Sequence, residues 1–151
     1  MKPAGFFITA FLLLCCVIPA QADDTLQVSD PWIREAPPGA TVLAGYLTLT
    51  NTTSAPLVIE AVSSPAFEAV EIHRSQVVDG VARMQPVSEL TVPATGNISL
   101  APGGYHLMLL RPVRPLTEGD NVILLLHRAD GICVTVTAPV LRMTESSSHQ
   151  H

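Results

Sequence analysis

The sequence predicts an all-β protein, a β-sandwich of about eight or nine short strands. Short stretches of alternating apolar and polar residues are separated by turn-forming residues at near-regular spacing. No segment keeps the 3.6-residue apolar period of a helix. Most of the thirteen prolines fall in the breaks, where a missing backbone N–H removes no sheet hydrogen bond. These observations disfavour an α/β fold.

The strands follow from the alternating stretches and from the turns between them. Asp30-Pro31 is predicted to split the first extended piece, and Ser63-Ser64-Pro65 ends a later one, with room for one helical turn over 65–68. Asp79-Gly80 is a two-residue hairpin turn of the type that matches strand twist. The predicted extended pieces are 26–28, 32–33, 42–50, 57–62, 70–78, 81–86, 90–92, 98–100, 105–110, 122–127 and 132–137.

Residues 1–22 have the features of a signal peptide. Lys2 precedes an apolar run over 6–18, and Ala20-Gln21-Ala22 forms a small-x-small cleavage site. The run is shorter than the ~20 residues that span a bilayer. We therefore expect cleavage after Ala22 and export to the periplasm.

An uncleaved anchor and a lipid-modified Cys15 or Cys16 are the alternatives for this leader. The lipid-modified form is disfavoured because Leu14 before Cys15, and Cys15 before Cys16, are poor residues immediately before such a cleavage. No other stretch is apolar enough to cross a membrane. Residues 23–140 are predicted to form one domain, followed by a flexible tail over 141–151.

Charge and cysteine content limit the function. The net charge is −5 with only 8 Lys and Arg, so no basic surface for nucleic acid is expected. Once the leader is removed, Cys133 is the one remaining cysteine and no internal disulfide is available. Cys133 lies in an alternating strand, where we expect it to be a buried small apolar residue.

Histidine and methionine cluster in one window of the sequence. The window reads His73, ten residues, Met84, twenty-one residues, His106, Leu107, Met108. Imidazole and thioether together are ligands for a soft metal, of which Cu(I) is the common biological example. Exposed thiols are lost to disulfides after export, whereas thioether sulfur remains a soft ligand. Imidazole also binds Cu(II), which is a secondary expectation.

Strand geometry predicts which of these side chains share a face. If Asp79-Gly80 is a two-residue turn, His73 is opposite Pro86 and Met84 is opposite Ser75. His73 and Met84 are then diagonal neighbours on one face, with Cα atoms roughly 7–8 Å apart. His106 and Met108 also share a face, because they are two residues apart on one strand. Local geometry leaves open whether the two faces converge.

The spacing resembles that of the periplasmic copper chaperones called PCu(A)C, and the resemblance covers nearly the whole mature chain. It rests on the His-x10-Met-x21-His-x-Met motif and on its surroundings. The surrounding matches are Pro31-Trp32-Ile33-Arg34, Gly45-Tyr46, Asp79-Gly80, Arg83-Met84, Pro86-Val87 and the stretch 100–109.

The resemblance implies a cupredoxin-like Greek-key β-sandwich and a non-enzymatic role. It implies that a monomer binds Cu(I) through His73, Met84, His106 and Met108. It also implies delivery of copper to the copper-accepting subunit of cytochrome c oxidase, with Sco-type proteins as partners. Many members carry a longer His- and Met-rich extension, for which this chain offers only Met143, His149 and His151, so a second copper site is disfavoured.

Other functions compete with copper delivery. Copper storage or tolerance would use the same site. A blue-copper electron carrier needs a Cys ligand soon followed by His and Met, which Cys133 lacks. His127 is interpreted as structural. No phosphate loop, nucleophile elbow or zinc-protease motif supports an enzyme, and a plain adhesive sandwich would bind no metal.

Overall fold

The computed structural model describes residues 25–143, so the predicted signal peptide and most of the predicted tail, including His149 and His151, lie outside the described residues. Within this range the chain is all-β, as predicted, and it contains no helix and thus none able to span a membrane. The strands are β1 (Leu26–Arg34), β2 (Val42–Asn51), β3 (Leu57–Ser63), β4 (Phe67–Val78), β5 (Val81–Val87), β6 (Leu90–Val92), β7 (Asn97–Leu100), β8 (Tyr105–Pro112), β9 (Asn121–Arg128) and β10 (Cys133–Leu141).

Eight of the strands form a closed, barrel-like ring. Their order is β4-β8-β7-β2-β1-β10-β9-β3, and β3 returns to β4 through the pair Val62 and Val70. β5 and β6 are attached outside this ring, to β4 and β3 respectively. The described strands therefore number ten, one or two more than predicted. The cupredoxin-like Greek-key arrangement stays a prediction.

The core lies inside the ring and is mostly aliphatic. On β8, Leu107 and Leu109 are buried, and Leu124 and Leu126 are buried on β9. Burying a leucine side chain contributes roughly 1.5–3 kcal/mol. Because side chains alternate along a strand, the residues between these leucines face outward. The inward leucines of β8 thus fix His106 and Met108 on the outer face.

Two local predictions were wrong. Asp30-Pro31 does not divide the first strand: β1 runs through it, and the register with β2 shifts between Ser29 and Trp32. Asp30 takes a positive φ of 49°, so the strand absorbs the two residues as a bulge. Residues 65–66 form a turn and β4 begins at Phe67, which leaves no helical turn over 65–68.

The end of the described chain is tied to the first strand. β10 extends to Leu141, and Glu35 N donates a hydrogen bond to the Leu141 carbonyl at 2.9 Å. Arg142 Nε then donates to Glu35 Oε2 at 2.6 Å. The Arg142 guanidinium, followed by the backbone N–H of Glu118, holds the pKa of Glu35 below its usual value. This contact lies where the tail was predicted to begin.

Candidate metal centre

The two predicted histidine ligands are neighbours across β4 and β8. His73 pairs directly with His106, and their ring centroids are 6.0 Å apart. Directly opposite residues of an antiparallel pair project from the same face. At the next pair of residues along the two strands, the guanidinium carbon of Arg74 is 5.3 Å from the centre of the Tyr105 ring. This contact depends on the same register. The face that carries His73 and the face that carries His106 are therefore the same face of the sheet, a relation that the sequence left open.

The hairpin that carries Met84 has the predicted register. Asp79 and Gly80 both have positive φ, at 52° and 77°, as the twist-matched two-residue turn requires. His73 consequently pairs with Pro86, and Ser75 pairs with Met84. Met84 lies on the same face as His73 and is a diagonal neighbour of it.

Met108 occupies the corresponding position on the other side of His73. It pairs with Glu71, two residues before His73 on β4. Met84 and Met108 are thus diagonal neighbours of His73 in opposite directions, which in a regular sheet separates their Cα atoms by about 15 Å. To share one ion, both thioethers would have to reach toward the histidine pair from opposite sides of His73. Among the described strands β5 bonds only to β4, so Met84 is on the less constrained of the two methionine-bearing strands.

Burial differs among the four side chains. His106 is buried at 6% exposure, the His73 side chain is 12% exposed, and Met108 is half-buried. Met84 is 57% exposed on the edge strand. The arrangement therefore consists of a shielded histidine pair with one methionine beside it and one methionine open to solvent.

Hydrogen bonds fix which ring nitrogen of His106 is free. Its Nδ1 lies 3.1 Å from the carbonyl oxygen of Gly104. A carbonyl only accepts, so Nδ1 carries a proton, and in the neutral ring Nε2 then keeps a lone pair. Metal-binding histidines usually donate their second ring nitrogen to an oxygen in this way. Gly104 reaches this position because its own turn closes on Ala101, with N–H to carbonyl at 3.0 Å.

His73 makes the equivalent contact with a carboxylate. Its Nε2 is 2.8 Å from Oε2 of Glu71, and its Nδ1 is buried with no hydrogen-bond partner among residues 25–143. Sequence reasoning missed both Glu71 and Gly104. The Glu-x-His spacing was available as a signal, because residues two apart on a strand share a face.

The donor set favours a soft ion over a hard one. In the described part of the chain, no cluster of three or more His, Cys, Asp or Glu side chains is placed to hold a metal. A site that uses both methionines would combine imidazole nitrogen with thioether sulfur, which suits Cu(I) better than Zn²⁺ or Ca²⁺. The assignment of all four residues as ligands stays a prediction.

Other residues singled out from the sequence lie elsewhere. His127 is half-buried and its Nε2 is 2.8 Å from Ser63 Oγ, consistent with a structural role. Cys133 is exposed, so the prediction that it is buried was wrong. It begins β10 on the outward face opposite His127, together with Thr135. Met143 is exposed next to the ion pair of Arg142 with Glu35.

A cavity is present away from these side chains. It has a volume of about 470 Å³ and lies near the C-terminal end of β8, between residues 35–40 and 115–117. None of the four predicted ligands lines it, and His106 is near the opposite end of β8. The candidate ligands therefore lie on the outer face of the sheet around β4 and β8, and not in this cavity.

Sequence comparison gives one family and one curated relative. The family described as "Putative lipoprotein LpqE-like" matches residues 26–140. The "Putative lipoprotein Lxx21020" of Leifsonia xyli subsp. xyli is 32% identical over 123 residues, which cover 81% of this chain and 73% of the relative.

Solved structures with the same fold are PCuAC domains and related proteins. The copper-bound PCuAC domain of PmoF2 matches with a TM-score of 0.67 at 22% identity, covering 79% of this chain and 94% of the domain, a likeness of fold. Apo-DR1885 of Deinococcus radiodurans matches with a TM-score of 0.64 at 29% identity over 96% of this chain and 97% of its own. Its CuI form matches with a TM-score of 0.61 at 28% identity, covering 84% and 83%. The resemblance to PCu(A)C is confirmed.

We expect a soft ion to perturb two of the three methionines after the leader. In a mature chain carrying ¹³C-labelled methionine methyl groups, anaerobic addition of Cu(I) should shift the Met84 and Met108 signals together, reaching saturation at one equivalent. Binding through sulfur changes the environment of the attached methyl group directly. Met143, about as exposed as Met84 but located after β10 and outside the four-residue motif, is the internal control. A shift of Met143 with Met84 unmoved would contradict the site.

Proposed function

This chain belongs to the LpqE-like family, and from that premise we propose that it is an exported copper chaperone with no enzymatic activity. It binds one Cu(I) per monomer through His73, Met84, His106 and Met108. It then delivers the ion for assembly of the copper centre of cytochrome c oxidase. The observation that carries the proposal is the pairing of His73 with His106, with a methionine on each diagonal of His73.

The related structures support the choice of metal. The PmoF2 domain binds copper and DR1885 binds Cu(I), and DR1885 in its CuI form is 28% identical to this chain. Two neutral imidazoles and two thioethers carry no formal charge, and they bind Cu(I) less tightly than thiolates would. A neutral and partly open ligand set is suited to releasing the ion to an acceptor.

The exposure of Met84 supports delivery over storage. With 57% of the residue exposed on an edge strand, Met84 is the ligand that an acceptor protein can displace first. The copper-accepting subunit of cytochrome c oxidase and Sco-type proteins are the proposed acceptors. Storage or copper tolerance is the second candidate, because it would use the same four side chains. A blue-copper site is less well supported, since Cys133 is on β10, whose neighbours are β1 and β9 and not β4 or β8.

Cu(I) titration against a competing chelator tests the site. The mature protein is expected to take up one Cu(I). Met84→Leu and Met108→Leu should each weaken binding by at least about tenfold, or about 1.4 kcal/mol, because each removes a sulfur donor while keeping a similar volume. Met143→Leu is the matched control and should leave the affinity unchanged. Unchanged affinity in Met84→Leu and Met108→Leu would show the assignment to be wrong.

A deletion strain separates delivery from storage. For delivery, loss of the gene should lower cytochrome c oxidase activity at low copper, with recovery when copper is added, because acceptor loading then no longer depends on a carrier. The variant Met84→Leu should fail to restore activity, whereas Met143→Leu should restore it. Normal oxidase activity at low copper, combined with sensitivity to excess copper, would support tolerance instead.

Export to the periplasm with cleavage after Ala22 is the proposed route. The description of the matching family as "Putative lipoprotein" keeps a lipid-modified Cys15 or Cys16 as the alternative route. Mass spectrometry of the protein purified from its natural host is expected to find Asp23 at the N-terminus. A diacylglyceryl group on either cysteine would reject cleavage after Ala22 and indicate a membrane-tethered chaperone.

A further inference from the structure

Within residues 25–143, Glu71 is the acidic side chain in contact with the histidine pair. It lies on β4 two residues before His73, on the same outer face, and directly opposite Met108. Its side chain is 49% exposed, whereas that of His73 is 12% exposed. The carboxylate therefore reaches from solvent onto a largely shielded ring.

The contact determines how a neutral His73 ring is protonated. An ionised carboxylate only accepts hydrogen bonds, so Nε2, at 2.8 Å from Glu71 Oε2, carries the proton. A neutral ring has one proton, so Nδ1 keeps a lone pair. That nitrogen is buried and has no hydrogen-bond partner among the described residues. His73 thus offers one unoccupied nitrogen, and it is the one that Glu71 does not contact.

The two histidines are held in complementary states. The Gly104 carbonyl favours the Nδ1–H form of His106 and leaves Nε2 free, whereas Glu71 favours the Nε2–H form of His73 and leaves Nδ1 free. Each ring then has one nitrogen committed to an oxygen acceptor and one nitrogen available to a metal. Outer-shell acceptors of this kind orient a ligand ring and raise its basicity.

We propose that Glu71 is a positioning residue of the metal centre, which holds His73 in the Nε2–H tautomer so that Nδ1 is the nitrogen that binds the ion. This inference rests on the proposed function for the identity of the ion. Glu71 acts through His73 and makes no bond to copper. The proposed effect of the Glu71 carboxylate on metal binding depends on its contact with the His73 ring. It is therefore more than the addition of a negative charge near the site.

The first test uses the metal-free protein. Long-range ¹⁵N–¹H NMR of the histidine rings, at a pH where they are neutral, should give the Nε2–H tautomer for His73 and the Nδ1–H tautomer for His106. Glu71→Gln and Glu71→Ala should each shift His73 toward a mixture of tautomers and leave His106 unchanged. Glu68→Gln is the matched control, since it removes the same charge from β4 at a carboxylate paired with Arg111. A His73 tautomer that is unchanged in both Glu71 variants overturns the proposal.

The second test measures Cu(I) affinity in a double-mutant cycle. Glu71→Gln should weaken binding about 10–100-fold, and Glu68→Gln should leave it unchanged. In the His73→Ala background, Glu71→Gln should have no further effect, because the ring it positions is absent. An equal loss in both backgrounds would mean that Glu71 acts through its charge alone and would overturn the positioning role.

The two tests distinguish this inference from the proposed function. A wild-type protein that binds no Cu(I) overturns the proposed function, and with it the role of Glu71 toward copper. A wild-type protein that binds Cu(I) while both Glu71 variants keep the wild-type tautomer and affinity overturns the role of Glu71 alone.

Discussion

The pairing of β4 with β8 in the register that sets His73 opposite His106 is the constraint on which the candidate centre depends. The ring of strands closes on β4, and the inner face of β8 is fixed by the burial of Leu107 and Leu109. A slip of one residue along β8 would turn His106 into the core and expose Leu107. The hydrophobic core therefore specifies the histidine pair, although neither histidine is part of the core.

The candidate centre combines a firmly held part with a loosely held part. His73 and His106 are shielded, and each has a ring nitrogen committed to an oxygen acceptor, Glu71 in one case and Gly104 in the other. Met84 is on an edge strand outside the ring, attached through a single hairpin. A carrier needs both properties, because the ion has to be oriented while it is held and has to leave when an acceptor arrives. The sheet supplies this difference without a separate moving domain.

The parts of this arrangement that local rules govern could be predicted from the sequence. The Asp79-Gly80 turn determined the register of Met84, because a two-residue turn with positive φ at both positions permits one pairing. The β4–β8 pairing joins residues far apart in the chain and depends on closure of the whole ring, so no local pattern contained it. Local geometry could therefore place each His with its Met on one face. Only the family resemblance implied that the two faces form a single site.

Two features that sequence reasoning missed could have been recognised from the alternation of residues along a strand. Cys133 alternates with Thr135 and Thr137, so it lies on the polar face of β10, and this alternation was an available signal of exposure. Glu71 alternates with His73 in the same way. The bulge at Asp30 is different, because the register shift between Ser29 and Trp32 is a property of the pairing of β1 with β2, which the dipeptide alone does not specify.

X-ray absorption at the copper K-edge of the Cu(I)-loaded mature protein is the decisive measurement for the four-ligand centre. Two imidazoles and two thioethers predict a first shell of both nitrogen and sulfur. The sulfur contribution should fall in Met84→Leu and again in Met108→Leu, and the nitrogen contribution should fall in His73→Ala. A shell of nitrogen and oxygen only, or a sulfur contribution lost in Cys133→Ser and kept in both methionine variants, would contradict this centre.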